Sequence, residues 1–64
     1  MEVLELRTAD QHRNVEWPGD LEGFLEGARS LGHQVMKIHG VERWLIVNPV
    51  SMAWCEVGPP ALVV

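Results

Sequence analysis

The stretch that decides the fold is DLEGFLEGARSLG, Asp20 to Gly32. Its apolar residues fall at Leu21, Phe24, Leu25, Ala28 and Leu31, the i, i+3, i+4, i+7 series of an amphipathic helix. Pro18-Gly19 breaks the chain just before it, Asp20 stands in the N-cap position, and Gly32 stands where a C′ glycine ends a helix. Within the helix the unit Leu-Glu-Gly occurs twice, which places Gly23 and Gly27 four residues apart. Each glycine costs a helix interior about 1 kcal/mol relative to alanine. At 100° per residue, Glu22, Glu26 and Arg29 share one flank, while Gly23, Gly27 and Ser30 lie roughly opposite the apolar stripe. Two readings follow. Either the bare outer face admits the close approach of another backbone, with acids beside it to offer charge, or nothing selected against the glycines.

Upstream of the helix, EVLELR (Glu2 to Arg7) alternates Leu4 and Leu6 with Glu5 and Arg7, the period of a half-buried strand. The intervening TADQHRNVEWPGD (Thr8 to Asp20) is polar and reads as a long loop, of a kind that is often functional or mobile. Downstream, QVMKIH (Gln34 to His39), ERWLIVN (Glu42 to Asn48) and SMAWCEV (Ser51 to Val57) are separated by Gly40-Val41 and by a turn at Asn48-Pro49-Val50, as in an antiparallel meander. ERWLIVN is apolar on both faces and is expected to be central. After Gly58-Pro59-Pro60 the apolar tail ALVV either pairs as a short edge strand or covers the open sheet face.

These elements define one small α+β domain over residues 1–64, with a single α-helix packed on a three- to four-stranded antiparallel sheet in the order β-α-β-β-β. Expected in or against one core are Leu4, Leu6, Leu21, Phe24, Leu25, Ala28, Leu31, Ile38, Trp44, Ile46 and Trp54.

Composition narrows the function classes. A 64-residue chain that is 47% hydrophobic and 22% charged can bury one core, though a core of this size leaves only a few kcal/mol of net stability. The single cysteine, Cys55, excludes an intrachain disulfide, and the first ten residues show no signal-peptide pattern. Apolar runs are broken by Glu42, Arg43, Asn48 and Pro49 well short of the roughly 20 residues of a membrane span. The expected compartment is therefore the reducing cytoplasm. A net charge of −4 disfavours direct contact with a nucleic-acid backbone, which needs clustered Lys and Arg.

No catalytic constellation emerges, so a non-enzyme without cofactor is expected. Cys55 lies between Trp54 and Glu56 in an expected strand and reads as a buried structural thiol. His12, His33 and His39 have neither a nucleophile nor a second ligand at metal spacing and read as solvent-facing polar residues; no metal site is expected. Gly19, Gly23 and Gly27 do not have the spacing of a phosphate-binding loop. Trp44 and Trp54 read as core, whereas Trp17 either staples the loop to the helix start or stands out as an aromatic anchor. From Asn14 to Ala28 the chain holds Glu16, Asp20, Glu22 and Glu26 and no base. This run is either a solvated, dipole-complementing face or a partner-binding acidic surface.

In length, net acidity, α/β layout and lack of a catalytic constellation, the chain resembles the small acidic single-domain anti-CRISPR proteins of bacteriophages and mobile elements. The resemblance implies an inhibitor acting in the cytoplasm of a bacterial host. Its partner would be a basic protein or a CRISPR ribonucleoprotein effector, whose access to DNA it blocks, in some members by mimicking DNA. It places Glu16, Asp20, Glu22 and Glu26 as stand-ins for backbone phosphates; the expected partner contact also takes in Trp17, Gly23 and Gly27, on the residue readings alone. A monomer that touches neither nucleic acid nor membrane directly is expected. The alternative is a small antitoxin or accessory module, also non-enzymatic, that docks a partner or a second copy through its sheet face.

Overall fold

A computed structural model describes residues 2–60; the tail 61–64, expected to pair or to cover the sheet, lies outside them. The elements are β1 (Glu2–Arg7), β2 (His12–Trp17), α1 (Leu21–Ser30), β3 (Gln34–Lys37), β4 (Trp44–Val47) and β5 (Trp54–Gly58). Five strands form one sheet in the order β2-β1-β5-β4-β3, every neighbouring pair antiparallel. The α+β class holds, with five strands in place of three or four. β4 is interior, flanked on both sides as its two apolar faces require, but β5 takes the middle and joins the β1–β2 hairpin to the β3–β4 hairpin.

The principal correction lies in the polar stretch before the helix, which is strand β2 rather than a long loop. Its register sets Glu16 opposite Val3, Val15 opposite Leu4 and His12 opposite Arg7. The turn is closed by Thr8 N–H donating to Gln11 O at 2.9 Å and by the Thr8 hydroxyl donating to Asp10 at 3.1 Å. The stretch reads as a loop because an edge strand needs little apolar patterning. Only Val15 and Trp17 face inward as apolar residues, and polar side chains on an exposed edge discourage further pairing.

Helix α1 begins as expected. Asp20 is the N-cap, its carboxylate accepting Gly23 N–H at 2.8 Å, and Gly32 carries the left-handed φ of +89° that follows the helix. The two helix glycines now separate. A Cβ on residue 23 would sit 3.2 Å from the capping oxygen of Asp20, whereas one on residue 27 would meet nothing within 4 Å. Gly27→Ala is therefore expected to stabilise the domain by about 1 kcal/mol, and Gly23→Ala by less because the cap must give way. Urea unfolding of the two variants checks both values.

Among the described residues Leu4, Leu25 and Val57 form the buried hydrophobic core, surrounded by Leu6, Trp17, Leu21, Phe24, Val35, Trp44 and Ile46. Three expected core members fall elsewhere. Leu31 is 78% exposed because it is the C-cap. Ile38 lies past the end of β3, half-buried, where its N–H closes the β3–β4 turn on Arg43 O at 2.9 Å. Trp54 is 42% exposed, because pairing Ile46 with Cys55 and Val47 with Trp54 turns Cys55 and Val57 toward the helix and Trp54 away from it. Ala28 is half-buried.

Candidate functional site

Because directly paired residues share a face of the sheet, the register sorts every strand residue. Leu4, Leu6, Val15, Trp17, Val35, Trp44, Ile46, Cys55 and Val57 face α1. Among the described residues no helix covers the opposite face, which divides into an ionic half and an apolar half.

The ionic half is built on Glu5, only 3% exposed. Its carboxylate meets Arg43 Nη1 at 2.7 Å, His12 Nε2 at 2.7 Å and Arg7 Nη2 at 3.6 Å. Arg43 also donates from Nε to the Glu56 carboxylate and from Nη2 to the backbone oxygen of Glu5 at 3.2 Å. One guanidinium thus ties β1, β5 and the entry to β4 together, using the fork geometry that suits arginine to carboxylates. Gly58 belongs to the same arrangement, since a Cβ there would come within 2.5 Å of Glu42 O and 3.1 Å of Arg43 Nη1. His12 is solvent-facing, as expected from sequence, and is at the same time a partner of this buried carboxylate.

The apolar half is formed by Leu45 and Val47 of β4, Trp54 of β5 and Met52 of the preceding loop, which line one hollow of about 380 Å³. Met36 of β3, directly paired with Leu45, extends it. Met36, Met52 and Trp54 are exposed by 47%, 68% and 42%. The loop that presents Met52 is tightly held: Asn48 Oδ1 accepts Val50 N–H at 2.9 Å and Ser51 N–H at 3.2 Å, and Met52 N–H reaches Asn48 O at 2.8 Å. Among the described residues Met52 is the non-glycine with positive φ, at +64°, a conformation in which a side chain is unfavourable and glycine is not.

The residues singled out from sequence do not form one patch. Asp20, Glu22, Gly23, Glu26 and Gly27 lie exposed on α1 and its cap. Asp20 is engaged in capping, and Glu26 is paired with Arg29 at 2.6 Å. Glu16, paired with Val3, faces the other side of the sheet. Trp17 is the staple of the two readings: it packs on the core and meets Phe24 edge to face, with ring centroids 5.1 Å apart.

Cys55 is half-buried, and burial raises its thiol pKa above the ordinary value, so at neutral pH it is protonated and a poor nucleophile. Among the described residues no group of three His, Cys, Asp or Glu side chains could hold a metal ion, and no helix is long and apolar enough to cross a membrane. Neither a family model, nor a curated protein, nor a solved structure matches the chain, so its site is described by its own geometry alone.

Proposed function

We propose that this protein acts by stoichiometric binding, docking an apolar segment of a partner protein on the helix-free face of its sheet. Trp54 is the anchor, and Met36, Leu45, Val47 and Met52 surround it. The observation that carries this reading is Met52: a domain with little stability to spare holds a methionine in left-handed backbone and leaves its side chain in solvent beside Trp54. Backbone strain retained at a surface position marks sites kept for function. Tryptophan and methionine at the centre of a patch are the residue types that dominate protein interfaces.

Met52→Gly is accordingly expected to move two quantities in opposite directions. It relieves the left-handed backbone and raises stability by about 1 kcal/mol, while it removes a contact and weakens partner binding. Thermal unfolding and a binding titration on the same preparation read the two effects.

A second reading, an acidic inhibitor of a CRISPR effector that acts in the bacterial cytoplasm by obstructing DNA, is favoured by the exposure of Asp20, Glu22 and Glu26 along one element. The two readings separate in one experiment. Immobilised wild-type protein, Trp54→Lys and the double variant Glu22→Lys, Glu26→Lys are compared for what they capture from cell extract and for binding to a purified CRISPR effector. Loss with Trp54→Lys and retention with the helix variant, little affected by salt, supports the sheet face. The reverse pattern, with strong salt sensitivity, supports the acidic face.

A further inference from the structure

We infer that two copies of this chain pair through β3, edge to edge and antiparallel, so that their sheets join into one. The sheet ends on β2 at one side and on β3 at the other. β2 carries exposed His12, Arg13, Asn14 and Glu16, side chains that discourage strand addition. β3 is different, as the direction of its backbone groups shows.

Ile38 N–H donates to Arg43 O at 2.9 Å. This makes the two a hydrogen-bonded pair, in line with the register of Lys37 on Trp44, Met36 on Leu45, Val35 on Ile46 and Gln34 on Val47. Hydrogen-bonded and non-hydrogen-bonded pairs alternate along an antiparallel ladder. Gln34 and Met36 therefore bond to β4, while Val35 and Lys37 point N–H and C=O away from the sheet, where no described residue takes them. An edge lysine ordinarily guards such a row with its charge. The Lys37 ammonium is instead drawn back over its own turn, donating to Ile38 O at 3.2 Å and to Val41 O, and it lies 5.3 Å from the centre of the Trp44 ring.

A row of outward N–H and C=O groups is matched by another extended backbone, and β3 matches itself in one register. With Met36 opposite its own counterpart, Val35 of each copy faces Lys37 of the other. Every outward N–H then meets an outward C=O, and no like charges oppose each other. The neighbouring registers are worse. Setting Val35 on Val35 brings Lys37 opposite His33, whose N–H is already given to Ala28 O at 3.1 Å; setting Lys37 on Lys37 opposes two like charges. The Met36 pair is of the non-hydrogen-bonded type, in which side chains stand closest. It lies on the helix-free face beside Leu45 of each copy and covers a methionine that is 47% exposed in the single chain. The pairing leaves Trp54, Val47 and Met52 open, so it stands apart from the docking reading and either can fail alone.

The test uses the full chain alone, by sedimentation velocity from about 10 μM to about 1 mM and by amide hydrogen exchange at both ends of that range. A monomer–dimer equilibrium is expected, with the Val35 and Lys37 amides exchanging more slowly at the high concentration and those of His12, Asn14 and Glu16 unchanged. Val35→Pro deletes an outward N–H and no bond to β4, a position where edge strands accept proline. It should weaken the dimer about tenfold or more. Met36→Lys, which sets two ammonium groups against each other at the axis, provides the same test should Val35→Pro fail to fold. Trp54→Lys should leave the dimer as it is. A monomer throughout, a dimer kept by both β3 variants, or slowed exchange on β2 instead of β3 would overturn the inference. So would loss of the dimer with Trp54→Lys, which would mean that the copies meet through the docking face, or protection of Val35 and Lys37 only after a captured partner is added, which would make the added strand the partner's.

Discussion

Arg43→Met is expected to cost about 3 kcal/mol, the lower end of what breaking a buried ion pair costs. The substitution keeps most of the apolar stem but deletes every donor that Arg43 directs at Glu5, Glu56 and the backbone of β1. Glu5 keeps His12 and Arg7, which is why the loss is set at the lower end. Domains have roughly 0.05–0.15 kcal/mol of stability per residue, so a chain of 64 residues has little margin. The variant should be largely unfolded at temperatures where wild type is folded. Arg43→Lys should recover only part of the loss, because an ammonium cannot bridge Glu5 and Glu56 with a planar fork. Circular dichroism during urea unfolding gives the value. A cost within 1 kcal/mol of wild type would mean that the network is surface decoration.

The second large effect belongs to binding. Trp54→Ser removes the largest side chain from the apolar half of the helix-free face, where it is 42% exposed and outside the core cluster. Its stability cost should stay near 1 kcal/mol. Partner affinity should fall by about 2 kcal/mol or more, roughly 30-fold, the loss characteristic of a central aromatic anchor. Isothermal titration with the partner recovered by the comparative capture measures it. Equal affinity for the two proteins would remove Trp54 from the interface.

What the sequence made legible is what local periodicity controls. The helix phase from Leu21 to Leu31, its Asp20 cap and Gly32 stop, and the strands at Glu2–Arg7 and after Gly32 all follow from spacing and punctuation. β2 was hidden because its strand character comes from pairing with β1, not from its own pattern. Trp54 was misplaced because nothing local fixes which of two alternating sets in SMAWCEV faces the helix; the register of Cys55 against Ile46 does. The ion network was invisible for the same reason: Glu5 and Arg43 are 38 residues apart, and no spacing rule connects them. Conversely, the base-free acidic run is continuous in sequence yet divides in space, since Glu16 alternates to the helix-free face while Glu22 and Glu26 ride on α1. Met52 could not be singled out at all, because its left-handed backbone is set by the Asn48 loop closing on itself.

Signals from Met36 and Met52 ε-methyl groups, labelled with carbon-13, and from the Trp54 indole N–H report directly on the apolar half of the helix-free face. On adding the partner, these three should shift or broaden together in proportion to occupancy, while the amides of Glu22, Gly23, Glu26 and Gly27 stay in place. Movement confined to the helix amides, with both methionine methyls and the Trp54 indole unchanged at saturation, would contradict docking on the sheet.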